Sequence, residues 1–490
     1  MLFNIFAFIV SIVYAMLYYQ ESVISLDQSF ALSSLLVFGL VIILYFIASY
    51  YKNKIVTTYW FNPSYIVLLG LIIVNLQTII NVLLDYAPLS SYLQTSNYDA
   101  YFNKALYASL LVITGFLIGC YNATPYLRAY DYEKKSKQRG CNTNLSTFSV
   151  LAVVFFVLFV VNIDVMSFIT GLDYENSGSY DRQSGASYML YEQLFSSCIT
   201  IIFAIVVYNA QYETTPINFF GFYRAVPKMV WLVLLVYIVL RLLSGDRGPV
   251  LYSLSAVGYA YLMTSKRRLS LALLVLVLFI GATATTILGT TRSLSKNNSF
   301  TERLEYAVNI ENDEVESICQ PTQELANSVN CNFIVLADLH TGRTNIQSGK
   351  YSFYNLVTCF PGSLKLLNTM FGLTQKDINS AEYITRSFFG DYYPYGLGTT
   401  TTAEGILDFG LLGCFLLNLI FGFLLKRIDI LFTYTKQMSM LVVIVALKFA
   451  SESIYLPRFS YTGMLSKAIY IVILFFVVNY IANKLKRRVR

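Results

Sequence analysis

Two arginines flank a short polar turn between hydrophobic segments. Arg241 and Arg247 stand in the sequence Arg-Leu-Leu-Ser-Gly-Asp-Arg-Gly-Pro. A guanidinium group binds phosphate oxygens through paired hydrogen bonds, and near a membrane the phosphate would belong to a lipid head group or a lipid-linked diphosphate. We therefore predict that both arginines contact a diphosphate. The alternative for Arg247 is an ion pair with Asp246 or another acid at a helix end.

A histidine and an arginine lie close together in a long polar segment further along the chain. His340 and Arg343 are three residues apart and would share one face of a helix. Imidazole titrates near neutral pH and can take a proton from a sugar hydroxyl, while a guanidinium can hold a departing diphosphate. We predict that His340 is catalytic and that Arg343 and Arg292 bind diphosphate. The alternative is that His340 is a solvated loop residue.

Two acids open a late hydrophobic segment. Glu404 and Asp408 are four residues apart and so lie on one helix face. Acids at the mouth of a membrane helix are costly unless protein or water surrounds them, so we predict a catalytic role for Glu404 and substrate contact for Asp408. The structural alternative is pairing across helices with Lys448 and Glu452.

An acid and an arginine flank an aromatic run just before that segment. Asp391 lies in the run Phe-Phe-Gly-Asp-Tyr-Tyr-Pro-Tyr, and Arg386 precedes it. Aromatic rings beside acids are common in carbohydrate sites, so we predict that Asp391 and Arg386 bind substrate. The alternative is an aromatic belt at the membrane interface.

The composition excludes most soluble functions. Of the 490 residues, 56% are hydrophobic and only 13% are charged, with a mean hydropathy of +0.56. Soluble chains carry about a quarter charged residues. The net charge of +7 comes from inter-helix loops and the C-terminus, so nucleic-acid binding is not expected. With one histidine and no CxxC motif, a Cys/His zinc site is not expected either.

Apolar stretches of about 20 residues predict membrane-spanning helices. The first lacks a basic leader, which favours a retained anchor over a cleaved signal peptide. The seventh and eighth are short enough to form a broken or re-entrant pair instead. We predict an all-α polytopic membrane protein with about twelve spans, near 2–19, 31–50, 63–85, 103–121, 148–166, 188–209, 228–243, 248–264, 269–290, 403–425, 437–454 and 466–483.

The distribution of lysine and arginine predicts the orientation. Alternate loops and the C-terminal tail hold most of the positive charge, which places them and both termini in the cytoplasm. On this topology residues 1–290 hold nine spans, 291–402 form one large extracytoplasmic loop, and 403–490 hold three spans and a basic tail. Amphipathic helices are expected in the loop at 301–309, 322–338 and 350–372. Three loop cysteines, Cys319, Cys331 and Cys359, do not specify a disulfide pairing.

These features together resemble the O-antigen polymerases and related oligosaccharide repeat-unit polymerases of bacterial envelopes. The resemblance rests on the helix number, the late outer loop, the Arg-x5-Arg-Gly segment from Arg241 to Gly248, and Gly396-x-Gly398 followed by Ala-Glu and Phe-Gly. The chain departs from the pattern at Asp408, where Asn is usual, and at Pro361, which is not followed by a basic residue.

The resemblance implies a glycosyltransferase on the outer face of the bacterial inner membrane. A growing glycan would leave undecaprenyl diphosphate and join the next lipid-linked repeat unit, with arginines holding the diphosphate and a base deprotonating the acceptor hydroxyl. It further implies a metal-independent reaction, no other cofactor, and a partner protein that regulates chain length.

Two other functions fit part of the pattern. An O-antigen ligase would share the topology, the loop and the lipid-linked donor, and would differ in its acceptor. A flippase or another transporter would also have about twelve helices, but it would place its charges near the bilayer midplane between internal repeats. No internal repeat is visible in this chain, which disfavours the transporter, and the segment from Gly396 to Glu404 favours the polymerase over the ligase.

Overall fold

The computed structural model describes most of the chain, and its regular structure is helical. The described residues are 2–20, 28–86, 100–126, 144–163, 165, 186–211, 217–244, 247–265, 270–276, 279–281, 283, 318–358, 363–391, 396–433 and 438–489. No strand occurs among them, which confirms the predicted all-α class. Arg292, Cys359 and the helix predicted at 301–309 lie outside the described residues.

The longer helices of the membrane region follow the predicted hydrophobic segments closely. They are α1 Leu2–Gln20, α2 Gln28–Lys52, α3 Pro63–Leu83, α4 Phe102–Ala123, α5 Leu145–Val161, α6 Ala186–Ala210, α7 Lys228–Leu243 and α8 Arg247–Ser265. The segment 318–400 contributes α9 Asn330–His340, α10 Lys350–Val357, α11 Ser363–Phe371 and α12 Ser380–Phe389. After it come α13 Thr401–Thr433, α14 Met440–Glu452 and α15 Tyr461–Val489.

The predicted number of twelve spans is not confirmed. Within the described part of the chain, seven helices are long and apolar enough to cross a membrane. An eighth span results if α7 is joined to the short helix Phe219–Ala225, from which it is bent by 98°. The bend lies at Pro227, which has no N–H to continue the helix. The multi-pass class is confirmed, but the exact number of spans is not.

The helices form two hydrophobic cores. One core joins α1 to α4 with α13 and helices of the segment 318–400, and the other contains α5 to α8. Helices α14 and α15 contribute residues to both cores. Glycines allow α4 and α13 to approach each other closely in the first core. A Cβ on Gly119 of α4 would lie 2.0 Å from the Leu419 carbonyl oxygen, and one on Gly422 of α13 would lie 2.2 Å from that of Phe116. The two backbones therefore pack without intervening side chains.

Polar side chains on α3 fasten the segment 318–400 to the helix bundle. Gln77 Nε2 donates to the Cys319 carbonyl at 2.9 Å, and Thr78 Oγ1 donates to the Ala326 carbonyl at 3.1 Å. Asn75 accepts a hydrogen bond of 2.9 Å from Asn332 of α9. Buried amides need such partners, so these contacts position the segment on the bundle. The same stretch of α3 contains a π-helical turn at Ile73–Gln77.

Candidate functional site

A pocket of about 480 Å³ lies within the segment 318–400. Its wall comes from the turn before α10, the start of α10, and α12 with the residues around it. The lining residues are Thr344, Gln347, Lys350, Tyr351, Asp377, Tyr383, Arg386, Ser387, Gly390 and Asp391. The site therefore contains two of the predicted substrate-binding residues, Arg386 and Asp391.

A break in α13 positions α10, which forms part of the pocket wall. Gly410 has φ +70°, a conformation that glycine adopts without a steric penalty, and it interrupts the helix. The carbonyl groups of Leu407 and Asp408 instead accept hydrogen bonds of 2.9 Å and 3.0 Å from the N–H groups of Gln347 and Gly349. The break therefore fastens the turn before α10 to a membrane helix.

The carboxylate of Asp408 caps α10 directly. It is fully buried, and its two oxygens accept hydrogen bonds from the N–H groups of Tyr351, at 3.1 Å, and Ser352, at 2.7 Å. A carboxylate at a helix N-terminus satisfies N–H groups that have no partner within the helix and also interacts favourably with the helix dipole. The substrate contact predicted for Asp408 stays a prediction, since in this structure both oxygens bind backbone.

Two tyrosines form the aromatic part of the pocket. The ring centroids of Tyr351 and Tyr383 are 6.1 Å apart, and the planes are inclined by 42°. The Tyr383 hydroxyl donates to Asp338 Oδ2 at 2.9 Å. Burial raises the pKa of each of these two phenols well above the ordinary value for tyrosine, and the nearby Asp338 raises the pKa of Tyr383 further. Both tyrosines are therefore neutral hydrogen-bond donors at physiological pH.

The charged residues of the pocket are mixed in sign. Arg386 forms a salt bridge of 2.6 Å with Asp391, and the Lys350 ammonium lies 5.4 Å from the ring centroid of Tyr351. Hydrogen bonds from the side chain and the backbone of Thr374 lower the pKa of Asp377, which keeps that carboxyl ionised. The pocket thus offers cations to a phosphate and carboxylates to sugar hydroxyls.

His340 and Arg343 do not line the pocket. His340 ends α9, is exposed, and meets the ring of Tyr101 edge-on at 5.7 Å between centroids. The Arg343 side chain is 61% exposed and lies 3.4 Å from Asp338 Oδ1. Because the buried Asp338 also accepts a hydrogen bond from Tyr383, it connects Arg343 to the pocket wall.

Glu404 is buried where three parts of the chain meet. Its oxygens accept hydrogen bonds from Ser380 Oγ, at 2.5 Å, and from Ser460 Oγ, at 2.6 Å. Ser380 begins α12, and Ser460 immediately precedes α15. The carboxylate therefore links α13 to these two helices, and its predicted catalytic role stays a prediction.

Arg241 forms a buried ion pair with Glu192 of α6. Its Nε donates to Glu192 Oε1 at 2.8 Å, a terminal nitrogen contacts Oε2, and the Tyr237 hydroxyl donates to Oε1 at 2.5 Å. The guanidinium also lies 5.6 Å from the ring centroid of Phe159. Arg247 begins α8, and its side chain is outside the described part of the structure, so the diphosphate contact of both arginines stays a prediction.

Sequence reasoning missed several residues of this region. It overlooked Glu192, although an acid within the hydrophobic stretch 188–209 is itself a sign of a buried partner. It also overlooked Lys350, Tyr351 and Tyr383, for which the sequence offers no local signal, because their common surface forms only when α10 and α12 pack together. In the described residues no three His, Cys, Asp or Glu side chains are grouped as they would be around a metal ion.

Comparison with known proteins identifies the family. The family model described as O-antigen polysaccharide polymerase Wzy matches residues 1–487, essentially the whole chain. The chain belongs to this family. No curated protein sequence matches it significantly, and no solved structure does. The family and the apolar helices together make it a polysaccharide polymerase and a multi-pass membrane protein.

Proposed function

We propose that the protein polymerises undecaprenyl-diphosphate-linked oligosaccharide repeat units, of O-antigen or a related surface polysaccharide, on the outer face of the bacterial inner membrane. The main support for this proposal is the family match. The pocket in the segment 318–400 supports it further, because its lining includes cations for a phosphate and carboxylates for sugar hydroxyls. In this proposal both termini are cytoplasmic and the segment is periplasmic. A chain-length regulator is the proposed protein partner.

The pocket is proposed to hold the reacting sugar and the adjacent phosphate. The faces of Tyr351 and Tyr383 are suited to the apolar side of a sugar ring, and Asp391 can accept hydrogen bonds from its hydroxyl groups. Arg386 and Lys350 would offset the charge that develops on the diphosphate as it leaves. Arg343 would add to this positive potential from the edge of the pocket, where it is paired with Asp338.

The proposed reaction is a single exchange of bonds at an anomeric carbon. The bond from that carbon to the diphosphate oxygen of the donor breaks, and the hydroxyl oxygen of the acceptor sugar forms the new glycosidic bond. The hydroxyl proton passes to a base, for which His340 remains the proposed candidate. Undecaprenyl diphosphate leaves with the bonding electron pair. No metal, nucleotide sugar or other cofactor takes part in this scheme.

The test is the envelope glycan ladder of a host deleted for this gene and complemented with variants. Deletion should reduce the ladder to a single repeat unit, and the intact gene should restore it. Arg386→Ala combined with Lys350→Ala should also give single repeats, because the phosphate would lose both pocket cations. Lys365→Ala is the matched control, since Lys365 is an exposed cation of α11 outside the pocket.

Other results would assign another function. A deletion strain that still makes long lipid-linked chains, but does not attach them, would contain a defective ligase. A strain with no lipid-linked repeat unit outside the membrane would lack a flippase. A full ladder in the double variant, at normal protein abundance, would exclude the pocket as the site of polymerisation.

A further inference from the structure

A second group of charged residues lies inside the helix bundle, where α14 meets α15. The Lys448 ammonium contacts one oxygen of Glu452, and the Lys467 ammonium lies 3.0 Å from the other oxygen. Lys448 and Glu452 are buried, whereas 29% of the Lys467 side chain is exposed. Two cations therefore share one carboxylate, and one of the cations can be reached from outside.

This group differs in charge from the other buried ion pairs of the bundle. Arg241 pairs with Glu192, and Lys426 pairs with Asp429, one cation to one carboxylate in each case. In the Lys448–Glu452–Lys467 group two cations meet one carboxylate, which leaves a surplus of one positive charge among the described residues. Unbalanced charge in an apolar region is strongly unfavourable, and an anionic ligand would remove the imbalance.

The group lies at the end of the bundle that carries the pocket. Lys467 is six residues into α15, which places it about 9 Å from the start of that helix. The neighbouring Ser466 donates a hydrogen bond of 2.6 Å to the carbonyl of Asn355 in α10, and Asn355 donates one of 2.9 Å to Ser460. The helix that supplies Lys350 and Tyr351 to the pocket thus also packs beside Lys467.

The surroundings of Lys467 suit a lipid that carries a phosphate. Its ammonium lies 4.4 Å from the ring centroid of Phe459 and 5.4 Å from that of Tyr252. Leu465, Ile469 and Ile473 form an exposed apolar face of α15 along which a hydrocarbon chain can lie. A ligand could therefore place its hydrocarbon chain along α15 and its phosphate at the ammonium group.

We propose that Lys467, supported by Lys448, binds the phosphate group of a polyprenyl diphosphate that enters along α15. The assignment of this ligand rests on the proposed function, in which the lipid-linked substrate carries that diphosphate. The lipid bound in this way would be the acceptor, whose glycan would extend from Lys467 along α10 and bring its hydroxyl to the donor sugar in the pocket. A phospholipid head group offers the same phosphate chemistry, and the experiment has to separate the two sources.

The experiment measures thermal stabilisation of the purified full-length protein in detergent. Undecaprenyl diphosphate should raise the melting temperature of the wild type and of Lys467→Arg, while undecaprenol, which has no phosphate, should not. Lys467→Met should weaken the apparent affinity about tenfold or more, as expected for loss of a hydrogen bond between charged groups. Lys104→Met is the matched control, because Lys104 is a cation near the start of α4 that also lies over a tyrosine ring.

Each remaining outcome overturns the proposal. Unchanged affinity in Lys467→Met, with or without a lower melting temperature, would make Lys467 a structural residue. Equal stabilisation by phosphatidylglycerol would assign the site to a phospholipid head group. Binding is measured without glycan, so it is independent of the glycan ladder: normal ladders in the deletion strain would refute the proposed function even if Lys467 binds the diphosphate.

Discussion

Replacing Asp408 by alanine tests whether the break in α13 positions the pocket. The substitution removes two hydrogen bonds, from the N–H groups of Tyr351 and Ser352, and leaves those groups buried without an acceptor. The start of α10 should then lose its fixed orientation. Lys350 and Tyr351 would no longer be held in the pocket wall, so polymerisation should fall although Asp408 itself lies outside the pocket.

The expected magnitude follows from the type of bond. A hydrogen bond to a charged group contributes about 1.5–3 kcal/mol, so the loss of two amounts to about 3–6 kcal/mol before relaxation. A loss of 3 kcal/mol would lower the equilibrium constant for the ordered start of α10 roughly 100-fold. Asp408→Asn keeps one acceptor oxygen and should show about half the loss.

Two assays report the effect. The glycan ladder should shorten strongly in Asp408→Ala and less in Asp408→Asn. In purified protein, trypsin should cleave after Lys350 faster in Asp408→Ala, because the start of α10 is no longer capped. Ser439→Ala is the control, since Ser439 caps α14, which supplies no pocket residue. A full ladder and wild-type protection of Lys350 in Asp408→Ala would refute the positioning role.

Three further predictions test other buried groups. Glu404→Gln should leave protein abundance and the glycan ladder unchanged, because glutamine can form hydrogen bonds with both serines that contact Glu404. Single repeat units made by well-folded Glu404→Gln protein would instead support the predicted catalytic role. Arg241→Met should destabilise the protein by about 3–5 kcal/mol, because it leaves Glu192 within the bundle without its cation. Adding Glu192→Leu to this variant should restore the melting temperature. If Arg241→Met alone is as stable as the wild type, the prediction is contradicted. Burial raises the pKa of Cys331 to about 12, so a maleimide should label Cys331 at pH 8 far more slowly than the partly exposed Cys319. Mass spectrometry on variants that each retain one of these two cysteines measures the labelling rates. Equal rates would contradict the burial of Cys331.

The positions of the helices could largely be read from the hydrophobic segments. The stretches predicted at 2–19 and 103–121 correspond to Leu2–Gln20 and Phe102–Ala123. The number of spans predicted in this way is not confirmed. Leu145–Val161 and Met440–Glu452 have 17 and 13 residues, shorter than the apolar stretches that predicted them. Hydrophobicity reports which residues avoid water, but it does not show where a helix ends.

The candidate site could be predicted only in part. Arg386 and Asp391 were expected to bind substrate on the basis of the aromatic residues beside them, and the structure places both at the pocket. Arg343 is connected to the pocket through Asp338, whereas His340 does not line it. Lys350 and Tyr351 were not foreseen, because they follow a turn with no motif and reach the pocket only through contacts with α13.

The sequence by itself determined the helical, membrane-embedded class, the order of the hydrophobic segments and the family, because these depend on composition and on local periodicity. Only the tertiary structure decided the partners of the charged residues. Arg241 meets Glu192 at a separation of 49 residues, and Asp408 caps a helix 57 residues earlier in the chain. Helical spacing shows which side chains share a face, whereas the groups that this face meets depend on how distant segments pack together.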